Sequence, residues 1–373
     1  MWDKTVIMNF SGIYPQEPFF QAQQGRWLDM TGMEGVNCYC TPEAEEAIQK
    51  QIKEMPLFGI HFLDSGNYHY LSKLWLKKIE EPFDLLVFDN HTDMQETAFF
   101  GLLSCGSWVR EVLDTNPELS KVCVTGPSKA AFSECDAKKR GITAVTAEEL
   151  SQKKEETLER FLAGSSSPLY LSIDMDLLSR EAARTNWDQG EVLLPQLLKM
   201  IRLAFVHRRI LGADICGENP QDTAEMPRGE DLEINSRTTA GLWGCLAEEM
   251  EQQEAYEKEC RSLDEKFLSG KQEKIRLKLA LKRYFSCRTW EKDKVRKEYG
   301  PYLSLRIRPA GEWLIQQREN RKLAVLLEDF QLQGAVLESL LLKAEKYQNT
   351  EAQIFLLQKK KEQQGFKEEG WEF

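Results

Sequence analysis

Leu85-Leu86-Val87-Phe88-Asp89-Asn90-His91-Thr92-Asp93 runs from an apolar segment straight into a group of ionisable residues, the pattern of a carboxylate-rich strand end. A second stretch repeats the arrangement, with Leu169-Tyr170-Leu171 leading into Ser172-Ile173-Asp174-Met175-Asp176. A strand points residues i, i+2 and i+4 to one side, so the pleat is expected to gather Asp89, His91 and Asp93, and likewise Asp174 and Asp176. Four carboxylates forced together repel. Hard oxygen donors mixed with imidazole suit a divalent ion such as manganese, and a pair of metals is the compensation expected.

Outward from these motifs, short apolar runs alternate with amphipathic stretches. Strands are expected over 5–10, 36–40, 58–63, 85–89, 121–125, 142–145, 169–174 and 210–215. Thr41-Pro42 and the capping box Thr146-Ala-Glu-Glu149 mark helix starts between them. This alternation, which persists to about residue 250, predicts an α/β domain with a mainly parallel sheet and helices on both faces. Such sheets bind ligands at the carboxyl ends of their strands, where both acidic motifs fall. Residues 251–373 change character to charged helical sequence such as 264–283 and 321–347, and are read as a separate helical extension. Leu303, Leu305 and Ile307 alternate with polar residues before Pro309, which suggests one edge strand.

Composition sets bounds. The chain has 373 residues, 42% hydrophobic and 29% charged, and no apolar stretch reaches the roughly 18 residues of a membrane span. Its Met-Trp-Asp-Lys start lacks a signal segment, and nine cysteines, an odd and scattered set, read as reduced thiols in a cytoplasm. Residues 1–250 hold 24 Lys and Arg against 39 Asp and Glu, while 251–373 hold 25 against 21. An acidic first part argues against nucleic acid and is compatible with a cationic substrate. No membrane partner is expected.

A third segment, Asp64-Ser65-Gly66-Asn67-Tyr68-His69, supplies a histidine at a strand-to-helix turn. With the three segments together, residues 1–250 resemble the ureohydrolase superfamily of arginases, agmatinases and formiminoglutamases, whose motifs look like Gly-Gly-Asp-His-Ser, Asp-Ala-His-x-Asp and Ser-x-Asp-x-Asp in this order. The resemblance implies a three-layer α/β/α sandwich and two divalent metal ions, most often Mn2+, on His69, Asp89, His91, Asp93, Asp174 and Asp176. It further implies that Asp89 and Asp174 bridge the ions and that Asp93 orients a metal-bridging hydroxide. That hydroxide attacks the carbon of a linear C–N bond, releasing urea or a small amide.

Two positions depart from the family pattern. Where relatives carry Ser-His-Gly-Thr this chain has Ser104-Cys105-Gly106-Ser107, placing Cys105 at the proton-transfer position although a thiol is a poorer shuttle at neutral pH. Where relatives anchor the guanidinium through Asp-x-x-Glu-x-Asn-Pro, this chain reads Asp214-Ile-Cys-Gly-Glu218-Asn-Pro, with glycine at the matched position and Glu218 one residue late. Trp187 and Asp188 fall in the segment that forms the substrate loop in relatives, where they could wall and orient a cation. The expected substrate is a small cationic or guanidino compound, or arginine within a peptide, with a homo-oligomer open. Amide deacylation on the same scaffold, and a catalytically silent scaffold whose tail recruits a partner, stay open as alternatives.

Overall fold

The strand ending in Phe88 is buried along its whole length, and its alternate side chains enter two different cores. Leu85 and Val87 pack with Val6, Met8, Val122 and Val124; Leu86 and Phe88 pack with Ile7, Leu171, Ile173 and Ile215. A sheet with two dry faces requires a helical layer on each, which gives three layers. The computed structural model describes residues 4–96, 101–220, 229–330 and 334–364.

Ten strands occur among these residues: β1 (Thr5–Asn9), β2 (Arg26–Asp29), β3 (Tyr39–Cys40), β4 (Ile60–Phe62), β5 (Phe83–Phe88), β6 (Leu103–Ser104), β7 (Leu119–Thr125), β8 (Thr143–Val145), β9 (Leu169–Asp174) and β10 (Ile210–Cys216). Eight form one sheet in the order β2-β1-β4-β10-β9-β5-β7-β8, every pairing parallel. β3 and β6 pair antiparallel in a separate ribbon, so the strand expected over 36–40 shrinks to two residues outside the main sheet. β2 was not expected, because Arg26-Trp27-Leu28-Asp29 is an edge strand, largely exposed and without an apolar run.

Helices Pro42–Ile52, Leu71–Leu76 and Trp108–Thr115 deliver Ile48, Trp75 and Val109 to one face, and Glu156–Ala163 and Leu194–His207 deliver Leu162 and Ile201 to the other. The starts read from sequence have chemical counterparts. Thr41 Oγ1 accepts from Ala44 N at 3.3 Å with Pro42 first in the helix, and Glu149 Oε2 accepts from Thr146 N at 3.0 Å. His61 is a core residue of β4, with Nε2 donating to Pro56 O at 3.1 Å and its ring stacked on Trp75.

Contacts divide the chain into two compact units, 1–255 and 256–373, with the boundary inside helix Gly229–Ser269. In the first unit, buried Gln253 clamps the start of β10: its Oε1 accepts from Ile210 N and its Nε2 donates to Ile210 O, both at 2.9 Å. The second unit is helical throughout its described residues, around a core that includes Leu281, Val295, Leu314, Leu326, Leu340 and Leu356.

Two sequence expectations fail in this second unit. The segment 303–307 is not a strand: one helix ends at Ser304 and the next begins at Ile307. Leu303 is buried while Leu305, in the turn, is exposed, so successive helix ends mimic a period of two. Pro309 sits in the first turn of the second helix, where its missing N–H costs nothing. The helix expected over 264–283 is broken between Ser269 and Glu273, where Gly270 stops it. The stretch 321–347 lies in helices Asn320–Asp329 and Gly334–Lys346, with 331–333 outside the described residues.

Candidate metal centre

The carboxyl ends of β4, β10, β9 and β5 stand side by side in the sheet. After β4, Asp64 takes φ +73° and its carboxylate accepts from Phe10 N, Ser11 N and Ser65 N at 2.8–2.9 Å, tying the ends of β1 and β4 together. The short turn Gly66–Tyr68 then delivers buried His69. Its Nε2 lies 2.9 Å from Ser172 Oγ, and the Ser172 hydroxyl donates to Asp214 Oδ1 at 2.6 Å. Because the serine proton is committed to Asp214, the imidazole donates through Nε2 and turns Nδ1 towards the carboxylates. Nδ1 lies 3.0 Å from Asp93 Oδ2, 3.1 Å from Asp89 Oδ2 and 3.6 Å from Asp174 Oδ2.

A second focus forms around His91, whose Nδ1 lies 2.8 Å from Asp176 Oδ2 and 3.3 Å from Asp89 Oδ1. Asp89 therefore presents one oxygen to each histidine. All six residues read as ligands from the sequence meet in this region, but the pleat does not gather the first group as expected. β5 ends at Phe88, and Asp89–Asp93 follow as a loop in which Asp89 Oδ1 accepts from His91 N at 2.6 Å and Asp93 takes φ +48°. β9 ends at Asp174, whose Oδ1 accepts from Asp176 N at 2.9 Å across a single helical turn. Turns with strained or capped backbone, rather than strand alternation, aim these side chains.

Crowding shows in the protonation of the site. Burial first, then Asp176 and Asp89, push Asp174 up to about 7; burial and Asp89 push Asp176 up to about 6. Burial opposes charge on His91, yet its hydrogen bonds to Asp176 and Asp89 hold it up at about 12. A histidine pushed towards its charged form by surrounding carboxylates stands where a cation is wanted, and oxygen-rich sets with one histidine each fit divalent metals. The groups His69–Asp89–Asp93 and Asp89–His91–Asp176 each bring three donor atoms within 4.8 Å of one another. The residues fit two ions sharing Asp89.

These six residues line a cleft of about 830 Å³. Trp187 lines it, with its indole donating to Asn67 Oδ1 at 2.9 Å and its ring edge-on to His91. Asp188 sits in the same loop, but it is exposed, is not among the lining residues, and contributes its carbonyl to Asn90 Nδ2 at 3.0 Å. Cys105 lines the cleft beside Cys38, and contact with that thiol together with burial raises it far above the usual thiol range. Glu218 is buried and is not among the lining residues. Asn235 Nδ2 donates to its Oε2 at 2.7 Å and Thr239 Oγ1 to its Oε1 at 3.2 Å, and burial holds it up at about 7. Gly217, at φ +103°, passes so close to β9 that a Cβ there would lie 2.5 Å from Asp174 Oδ1.

Four contributors went unrecognised in the sequence: Ser172 and Asp214, which fix the His69 tautomer; Trp108, whose indole donates to Asp93 Oδ2 at 2.6 Å; and Cys216, whose thiol donates to Asp174 Oδ2 at 3.2 Å. Ser172 and Asp214 stand two residues before strand ends, on the same side as Asp174 and Cys216 respectively, which is a readable signal. Trp108 carried none.

A profile of the arginase family matches residues 42–239, which takes in all six of the candidate metal-binding residues. The chain belongs to the arginase family. An uncharacterised protein of Thermotoga maritima is 33% identical to it over 236 residues, 61% of this chain and 86% of that protein. Among solved structures, formimidoylglutamase from Bacillus subtilis superposes with TM-score 0.53 at 13% identity, covering 66% of this chain and 86% of that one. Proclavaminate amidino hydrolase from Streptomyces clavuligerus gives 0.51 at 15% identity, covering 67% and 93%. At such identities these likenesses establish the arginase-family fold alone. Among its described residues, this family member has no helix long and apolar enough to cross a membrane.

Proposed function

We propose that this arginase-family protein is a binuclear metal-dependent hydrolase of linear C–N bonds in guanidino or amidine-like groups. The observation that carries this is Asp89, buried at the cleft floor with one oxygen facing His69 and the other facing His91. Two divalent ions held by the six ligands, manganese by the chemistry of the oxygen-rich set, would supply a water of lowered pKa and positive charge opposite a developing oxyanion. The chain's own groups do the rest. Ser172 and Asp214 hold the His69 tautomer, and the Trp108 indole fixes Asp93 at the ligand–cleft boundary, where it can accept a proton from attacking water. Trp187 walls one side of the substrate.

Substrate recognition departs from a glutamate-anchored guanidinium, since no side chain fits at 217 and Glu218 is engaged with Asn235 and Thr239. A cationic group would instead meet Glu96 and Glu134, which line the cleft; Asp136, also on its wall, is paired with Arg110 and Arg140. We place the protein in the cytoplasm, and assign the helical extension a role in assembly or partner binding.

The test is to load purified protein with manganese and screen guanidino, formimino and acetylated amines, following urea, formamide, ammonia and acetate. Metal-dependent release of urea or formamide, abolished in Asp93→Asn, is expected. Acetate release alone would favour a deacylase, and metal binding without any product would favour a silent scaffold, a reading that gains from the protonated Cys105 and from Gly217.

A further inference from the structure

The two donor groups of the centre are not chemically alike. A third group overlaps the fully buried, inner one, His69–Asp89–Asp93: His69, Asp174 and Cys216 bring a nitrogen, an oxygen and a sulfur within 4.8 Å of one another, all three residues buried. Sheet register makes this so. β10 runs parallel to β9 with Asp214 beside Ser172 and Cys216 beside Asp174, and β-strand alternation puts both side chains of β10 on the side that faces His69. The first pair fixes the histidine; the second places Sγ 3.2 Å from Asp174 Oδ2, which is itself 3.6 Å from His69 Nδ1. Donors bound tetrahedrally to one zinc-like ion, at roughly 2.0–2.3 Å from it, lie roughly 3.3–3.6 Å apart. The 3.6 Å spacing falls at the top of that range and the 3.2 Å spacing just short of it. Gly217 contributes the rest, since its bare backbone lets the end of β10 close onto Asp174.

We propose that Cys216 is a thiolate ligand of the inner metal position, so that the centre is asymmetric. This inference rests on the metal-centre reading above and deepens it. The inner position, with sulfur beside imidazole and carboxylate, favours borderline ions such as zinc or cobalt, whereas the outer one, Asp89, His91 and Asp176, contains no sulfur and suits manganese. Binding breaks the Cys216 S–H bond. The sulfur pair goes to the metal, the proton leaves to solvent, and nothing is oxidised or reduced.

Cobalt titration of metal-free protein, read by absorption, tests it. One sulfur-to-cobalt charge-transfer band per chain is expected in the near ultraviolet. Cys216→Ser should lose that band while keeping the weaker visible bands of bound cobalt, and a Cys38→Ala/Cys105→Ala double variant should retain it. Should Cys216→Ser fail to fold, X-ray absorption on zinc-loaded wild type decides, with one sulfur expected at about 2.3 Å beside nitrogen and oxygen at about 2.0–2.1 Å. Cobalt bound with oxygen and nitrogen only, or a band that survives Cys216→Ser, overturns the thiolate assignment and leaves the two-metal reading standing. Failure to bind cobalt, zinc or manganese stoichiometrically overturns both.

Discussion

A Cβ built on Gly217 would lie 2.5 Å from Asp174 Oδ1, and 2.7 Å from the backbone nitrogen of Met175. The position at which relatives resembling this chain carry a substrate-anchoring glutamate is therefore closed to any side chain, and its φ of +103° is glycine's own. Gly217→Glu is expected to damage the protein rather than restore a guanidinium site. It should cost at least about 3 kcal/mol through backbone strain and displacement of Asp174. Thermal melts and metal content would show it, and a stable, fully metallated variant would contradict the packing described.

Asp89 faces both histidines, so Asp89→Asn should deplete both metal positions, while His69→Ala should chiefly empty the inner one and His91→Ala the outer. Elemental analysis after dialysis reads this as a loss of close to two ions against close to one. Stripping wild type with chelator should lower its melting temperature, because ions held there would stabilise only the folded carboxylate cluster. Equal losses from all three variants would remove the shared-ligand role of Asp89.

His61 makes a pH prediction away from the centre. Burial holds it down at about 3, between Trp75 and Tyr170, so the folded protein keeps it neutral while the unfolded chain protonates it below about 6.5. Its contribution is present above that pH and is lost as pH falls through the window from 6.5 towards 3. The loss should reach roughly 2–3 kcal/mol by about pH 4.5. His61→Phe, which keeps the stack, should show a shallower decline of denaturation midpoint over that range, and parallel curves would argue against it.

The division of the chain is testable through Gln253, whose amide satisfies both backbone groups of Ile210 at the start of β10. A chain ending at 250 leaves those groups buried and unpaired, which costs about 1–3 kcal/mol for each. One ending at 255 retains them. We expect the longer truncation product to be the more stable by several degrees and to keep its metals; indistinguishable melting curves would mean that Gln253 holds nothing.

The layered α/β order was legible along the chain, because apolar runs and helix caps are local signals, and so were His69, Asp89, His91, Asp93, Asp174 and Asp176 as a candidate set. Local pattern could also mislead, as at Leu303–Ile307, where two helix ends imitate a strand. How the six residues meet emerges from the folded chain, since a left-handed Asp93 and a turn after Asp174 aim them where a pleat would not. It alone turned Glu218 away and brought Cys216 in. Those outcomes follow from the register of β10 against β9 and the bare backbone of Gly217, which are relations between segments some forty residues apart that no local pattern encodes.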